Sequence, residues 1–421
     1  MVWWGVPRAG WVKPVFDDRL PDRVGVAVLT RVFPPGLVDR VLAETGRVER
    51  RRRSLPSRLV VYFAVGMALF SDASYEEVLR QLTEGLSWSG VGGGSAWVMP
   101  TKAAIFRARS RLGVEPLRGL FEGACAPMAG STTQGAFYRG LRVLSIDGTC
   151  LDVADTPANE LAFGRPGSHR RAGGGAFPQV RLVGVCEVKT HAIIDAAFGS
   201  YGTSERVLAE RLLPRLPAGS LCLADRGFYG FERFRMASEA GAQLVWRVST
   251  RVHLPSERVL PDGSYLSTLR PTQRGARMVE GLRVRVIEYL LEPREAEEES
   301  VEQGESDAIV YRLVSTLLDP DAAPAHELAS LYREPWEIET ALDELKTHQR
   351  GPNVVLRSKT PDGVMQEAYG LLLTHYAIRR LMHDAALTAD LDPDRISFLR
   401  SLRAARQSAR ASTGFSPQEP A

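Results

Sequence analysis

Apolar residues run unbroken by charge from Leu59 to Phe70, about a dozen positions. A membrane span needs roughly 20, so the run predicts a buried helix. Ser74–Leu86 follows with mixed polarity. Ser74 is placed to cap it, and Glu77 three residues on has capping-box spacing. Val91-Gly-Gly-Gly-Ser95 predicts a loop, and Pro100–Leu112 a short basic helix capped by Thr101. Residues 1–135 thus read as a helical domain. A helix, a turn and an Arg-studded helix suit DNA binding, and they equally suit ordinary solvated helix faces.

From about residue 140 the pattern shortens to β-like runs: Arg142–Thr149, Val180–Val188, Ala192–Tyr201, Ser220–Asp225 and Gln243–Ser249. Helical stretches separate the later ones, Thr203–Leu216 with Thr203 capping and Phe228–Ala240. Strand and helix in this alternation predict a mixed α/β sheet. Residues 250–322 interrupt as a β-rich insertion, with a hairpin turn at Pro261-Asp-Gly-Ser and strands at Leu282–Leu290 and Ala308–Leu317. Leu328, Leu331, Ile338, Leu342 and Leu345 then recur at helical intervals, and a further helix covers about Gly363–Ala385. The expected division is a helical domain over 1–135, a core over 136–249 that resumes over 323–390, the insertion, and a basic tail over 391–421 with 412–421 disordered.

The composition is that of a globular protein, 44% hydrophobic and 24% charged. Net charge is only +3, but its distribution is uneven. Basic residues gather at Arg47, Arg50, Arg51, Arg52, Arg53 and Arg58, at Lys102, Arg107, Arg109, Arg111 and Arg118, and at Arg400, Arg403, Arg406 and Arg410. Acids gather at Glu295 and Glu297–Glu299. Segregation of this kind fits a polyanion partner. The four cysteines are scattered, which excludes a zinc knuckle and suits a reducing cytoplasm. No signal-peptide pattern opens the chain, no histidine pair has metal-ligand spacing, and no phosphate-binding Gly-Lys-Ser/Thr loop implies a nucleotide cofactor.

Three carboxylates carry the candidate chemistry. Asp147 lies in Ser-Ile-Asp-Gly-Thr and Asp225 in Leu-Ala-Asp-Arg-Gly-Phe, each where a hydrophobic strand is expected to end. Ligand sites in open sheets gather at strand ends, although Asp-Gly is also a plain turn and Asp225 could cap the next helix. Tyr332, Glu339 and Lys346 are spaced by seven. On one helix, seven residues return to within about 20° of the same face, which would aim Glu339 at the two aspartates. An ordinary Glu–Lys surface ridge has the same spacing.

Together these segments resemble the DDE transposases, and more narrowly the insertion element 4 family with its Tyr-Arg-Glu-Lys signature. Tyr332, Glu339 and Lys346 match that signature, and Pro335 stands at its Arg position. Asp147-Gly-Thr149 with Val153–Asn159, Asp225-Arg-Gly-Phe228 and Leu356-Arg-Ser-Lys-Thr-Pro361 match the flanking motifs, in order. The resemblance implies a ribonuclease H-like core preceded by a helical DNA-binding domain. It implies Asp147, Asp225 and Glu339 as catalytic ligands of two Mg2+ ions, with Mn2+ able to substitute. It also implies nicking at the element's terminal inverted repeats, hairpin formation, and strand transfer into target DNA by a homodimer on double-stranded DNA. Tyr332, Arg333, Lys346, Arg226, Lys102, Arg107, Arg109, Arg51 and Arg52 are the expected DNA contacts. Trp336 is the expected acceptor of a flipped base, with Trp246 the other candidate or a core residue. The alternative is a transposase-derived DNA-binding protein with impaired catalysis; a stand-alone nuclease is a third reading. A bacterial cytoplasmic, nucleoid-associated protein is expected.

Overall fold

The computed structural model describes residues 27–51, 53–83, 99–167, 177–271, 280–291, 309–333, 337–351 and 355–411. Arg52, the 91–95 loop, the acidic 295–299 run, Pro335, Trp336 and residues 412–421 lie outside these ranges.

Six helices come first: α1 (Ala27–Val32), α2 (Pro35–Glu44), α3 (Ser57–Leu69), α4 (Tyr75–Thr83), α5 (Lys102–Leu112) and α6 (Glu115–Ala124). All thirteen residues of α3 are buried, as its unbroken apolar run requires. Ser74 Oγ accepts from Glu77 N at 3.2 Å and Thr101 accepts from Ala104 N at 3.3 Å, so both expected caps form. The Glu77 carboxylate instead takes Arg80 and Gln81.

A single sheet follows: β1 (Phe137–Tyr138), β2 (Leu141–Asp152), β3 (Gln179–Glu187), β4 (Ala192–Ser200), β5 (Ser220–Ala224), β6 (Gln243–Val248), β7 (Arg258–Val259), β8 (Tyr265–Leu269), β9 (Leu282–Leu291) and β10 (Ile309–Ser315). Its order is β4-β3-β2-β5-β6-β10-β9-β8-β7, with β1 paired to β2. The β2–β3 and β3–β4 pairs are antiparallel, while β2–β5 and β5–β6 are parallel. A three-stranded meander with two parallel strands laid against its first strand is the ribonuclease H-like arrangement. The insertion strands do not stand apart. Through β10 they pair with β6 and extend the same sheet.

The remaining helices are α7 (Pro157–Phe163), α8 (Glu205–Leu212), α9 (Phe231–Glu239), α10 (Ala325–Arg333), α11 (Glu337–Asp343), α12 (Pro361–Ala389) and α13 (Phe398–Ala411). A π-helical segment, Glu344–Gln349, continues directly from α11. Helices α8 and α9 pack on one sheet face around Leu208, Leu212, Phe234 and Trp246; α10 packs on the other around Leu328 and Tyr332. Trp246 is fully buried and meets Phe234 edge-on at 5.4 Å, the packing role rather than that of a base acceptor. Ser204, not Thr203, caps α8.

Helix α12 joins the N-terminal helices to the sheet in one apolar cluster. Its closest approach to α3 is at Gly370, where an added Cβ would sit 2.6 Å from the Ala64 carbonyl oxygen. One turn on, Thr374 Oγ1 donates to Val65 O at 3.0 Å. Gly370→Ala is therefore expected to lower unfolding stability by about 1–3 kcal/mol through overpacking. A urea midpoint equal to that of the wild type would contradict this close crossing. In the region expected as a basic tail, α13 packs back: Arg406 donates to Leu69 O at 2.6 Å and to Gln349 O at 3.3 Å.

Candidate active site

Asp147 does not end its strand. β2 runs on to Asp152 because β3 continues to pair with it as far as Asp152↔Gln179. What ends is the other partner. The parallel β2–β5 ladder closes at Ile146↔Ala224, so the next step sets Asp147 beside Asp225. Neighbouring strands lie about 4.8 Å apart, and residues in step share a sheet face. That face is the one carrying Val143, Leu221, Leu223 and Tyr332.

Asp225 forms a tight turn rather than a helix cap. Its Oδ1 accepts from Gly227 N at 2.7 Å and Phe228 N at 3.3 Å, and α9 begins only at Phe231. One carboxylate oxygen is thereby fixed and Oδ2 is left for a ligand. Glu339 reaches the pair from α11, which packs across β2 and β3. Burial pushes the Asp147 carboxyl up to about 7, against the lowering effect of its bond to the Gly148 backbone. Repulsion from Asp225, Glu339 and Glu205 adds to the rise.

Glu205 is an acid that sequence reading passed over. It opens α8 beneath Gly148, where an added Cβ would lie 2.8 Å from its carboxyl carbon. Arg181 holds it at 3.2 Å. The bare backbone of Gly148 admits this carboxylate; the Asp-Gly pair was the available signal.

The other predicted residues divide. Arg333, Lys346, Arg226, Lys102, Arg107 and Arg51 are exposed. Lys346 also comes within electrostatic range of Cys150, three residues past Asp147. Of the predicted ridge, Glu339 and Lys346 lie on one continuous helical stretch, α11 and the π-helical segment that follows it, while the residues joining that stretch to Tyr332 lie outside the described ones. Tyr332 belongs to α10, Glu339 to α11 and Lys346 to the π-helical segment. Tyr332 is 4% exposed, with its hydroxyl 3.5 Å from Ala224 O, so it props the end of β5 instead of facing solvent. Arg109 is also corrected. It is 5% exposed and donates to Gln366 at 3.0 Å, Tyr75 OH at 3.1 Å and Gly363 O at 2.9 Å, an interior clamp rather than a DNA contact.

The two remaining motif segments dock on each other. Val153 bridges Leu356, Ala154 N donates to Leu356 O at 2.8 Å, and buried Asn159 donates to Ala154 O and Ser358 O, each at 2.9 Å.

Residues 23–122 match the family of insertion element 4 transposase N-terminal regions, and residues 138–376 match the transposase DDE domain. The chain is 32% identical over 371 residues to the Escherichia coli K12 transposase InsG for insertion sequence element IS4, covering 87% of this chain and 79% of that protein. This chain belongs to the insertion element 4 family of DDE transposases. The transposase is also 25% identical to the putative transposase InsZ of the same organism over 227 residues, 54% of this chain and 72% of that one. Among solved structures, a piggyBac transposase synaptic complex with hairpin DNA gives a TM-score of 0.46 at 13% identity, covering 92% of the transposase and 80% of that chain. The expected family and enzyme class are thus established. No helix among the described residues is long and apolar enough to cross a membrane.

The DDE class works with divalent metal ions, and the donor chemistry of the transposase suits hard cations. Its converging groups are carboxylates, without histidine or cysteine. Among the described residues no three such groups stand close enough to hold an ion.

Proposed function

We propose that the transposase cuts its element free at the terminal inverted repeats and joins it to target DNA, with Asp147, Asp225 and Glu339 holding two Mg2+ ions. Mn2+ is expected to substitute. The supporting observation is the register that sets Asp147 beside Asp225 under the helix carrying Glu339. The ions, when bound, would supply charge neutralisation and an acidified water for in-line phosphoryl transfer. Asp147, Asp225 and Glu339 would together hold these ions.

Water first cleaves one phosphodiester and leaves a 3′-hydroxyl on the element end. That hydroxyl attacks the opposite strand, closing a hairpin and releasing the flanking DNA. Water reopens the hairpin, and the 3′-hydroxyl then attacks a target phosphodiester. Exposed Lys346, Arg226 and Arg333 hold backbone phosphates near the cut, while Lys102, Arg107 and Arg51 extend the grip over the helical region. Two protomers pair on the two ends.

A labelled duplex bearing the element's end, incubated with Mg2+, tests this reading. Glu339→Gln is expected to slow nicking about a hundredfold, equivalent to about 3 kcal/mol of transition-state stabilisation, while binding is retained. Equal cutting by the variant would remove Glu339 from the site. Binding without cutting by both proteins would favour the DNA-binding relic.

A further inference from the structure

A small recess of about 50 Å³ lies between α3, α12 and the segment carrying Leu356. Met67, Ala68 and Leu371 form its apolar wall, and Arg350, Arg357 and Glu367 its polar one. Arg350 is 6% exposed, yet its Nε has no hydrogen-bond partner; neither has the buried Nη2 of Arg357. The charges that act on Arg350 are Asp152 and Glu367, and both are engaged elsewhere. Asp152 accepts from Gln179 at 2.7 Å. Glu367 accepts from Arg357 N at 2.9 Å and from Ser358 Oγ, with Arg109 at 3.8 Å.

Buried polar groups are almost always satisfied, and an unpaired buried charge is among the costliest features a fold can hold. The guanidinium fork matches the oxygens of a phosphate in geometry and charge. An apolar wall lowers the local dielectric and strengthens such a pair. We propose that this recess is an oxyanion site that takes a phosphate group, with Arg350 the principal donor and Arg357 Nη2 the second. The phosphate is either a DNA backbone phosphodiester or free inorganic phosphate. Only the first source rests on the DNA-handling reading above, and neither depends on Glu339.

The test uses the full chain and Arg350→Met, a substitution of similar length without charge. Thermal unfolding is followed with inorganic phosphate and with chloride at equal ionic strength, and end-duplex binding is measured across a salt series. Phosphate is expected to raise the wild-type midpoint and leave that of the variant unmoved. Without phosphate the variant should be at least as stable as the wild type, because a buried unpaired charge is gone. DNA affinity at least about tenfold weaker, with a salt slope shallower by about one, would assign the site to the DNA backbone, whether or not free phosphate binds. A lost phosphate response with unchanged DNA affinity would assign it to the free anion. An unchanged response and affinity, or a variant less stable than wild type without phosphate, would overturn the proposal, the latter because Arg350 then has a structural partner.

Discussion

Asp147→Asn is expected to slow end cleavage about a thousandfold or more, equivalent to about 4 kcal/mol of transition-state stabilisation, with end binding changed by less than about twofold. The substitution keeps the shape of the side chain and removes its charge. Asp147 lies inside β2, paired to Gly184 on one side and at the close of the β5 ladder on the other. The backbone there is fixed by strand pairing and not by the carboxylate. Because Asp225, Glu339 and Glu205 all repel it, removing the charge relieves a strain. The urea midpoint of the variant should match or exceed that of the wild type, and a variant that gains stability while losing activity is the signature of a site kept for chemistry. Single-turnover nicking beside a mobility-shift titration measures both effects. Normal nicking, or lost nicking explained by unfolding, would each defeat the assignment.

The second large effect concerns stability. Arg379 on α12 donates to Glu344 Oε2 at 2.8 Å, again to Oε1, and contacts His191 Nδ1; His375 lies 3.2 Å from the same carboxylate. Phe398 of α13 stacks over the guanidinium at 5.6 Å. Glu344 opens the π-helical segment five residues past Glu339, so this network anchors the helix of the third site carboxylate. Arg379→Met leaves the buried Glu344 with His375 but without its guanidinium, and is expected to cost about 3 kcal/mol. The double variant with Glu344→Leu should recover much of that loss, since apolar replacement of a buried pair is often neutral. Additive losses in urea unfolding would show that the two groups act apart.

The same cluster gives a pH dependence. Burial first, and Arg379 next, push His191 down to about 3; burial likewise lowers His375. Glu344, despite burial, is held below its ordinary range by His375 and Arg379. Lys189 and Asp394 also face His191. A histidine with a depressed folded pKa binds its proton only when unfolded, so stability is full above about 6.5 and falls as pH drops below it. Glu344 adds a further loss below about 4.5. Asp147, with its carboxyl raised to about 7, works in the opposite sense over this range, so the effect is read in the Asp147→Asn variant, where the urea midpoint should fall between pH 7 and pH 5. A flat profile would show that these histidines are not buried neutral.

Much of this was legible in the chain because local chemistry dictated it. The caps at Ser74 and Thr101, the buried α3 and the turn at Pro261–Ser264 needed no distant partner. Asp147 and Asp225 could be singled out as acids near expected strand ends, but each alone read equally as a turn or a cap, and only the third segment and the family resemblance raised them above that. The continuation of β2 past Gly148 was hidden, since Asp-Gly reads as a turn and only pairing with β3 overrules it. Arg109 looked like part of a basic surface because its partners Gln366 and Gly363 lie more than 250 residues away. That Tyr332 need not share one helix with Glu339 and Lys346 had a visible warning in Pro335, since proline is disfavoured in a helix interior. The π-helical turn under Lys346 had none.

The pairing of β10 with β6 constrains how this family can be trimmed or enlarged. Without residues 250–317, β6 would become the bare outer edge of the remaining sheet, with its backbone donors and acceptors open to other chains. A miniaturised version would need a new edge guard, such as a charged or proline-bearing strand, to stay out of aggregates. Growth is easier at the far margin, where among the described residues β7 pairs with β8 alone and Val259 is already 69% exposed. Length variation among related chains should therefore accumulate at that outer hairpin, and lineages that dispense with it should still keep a strand against β6.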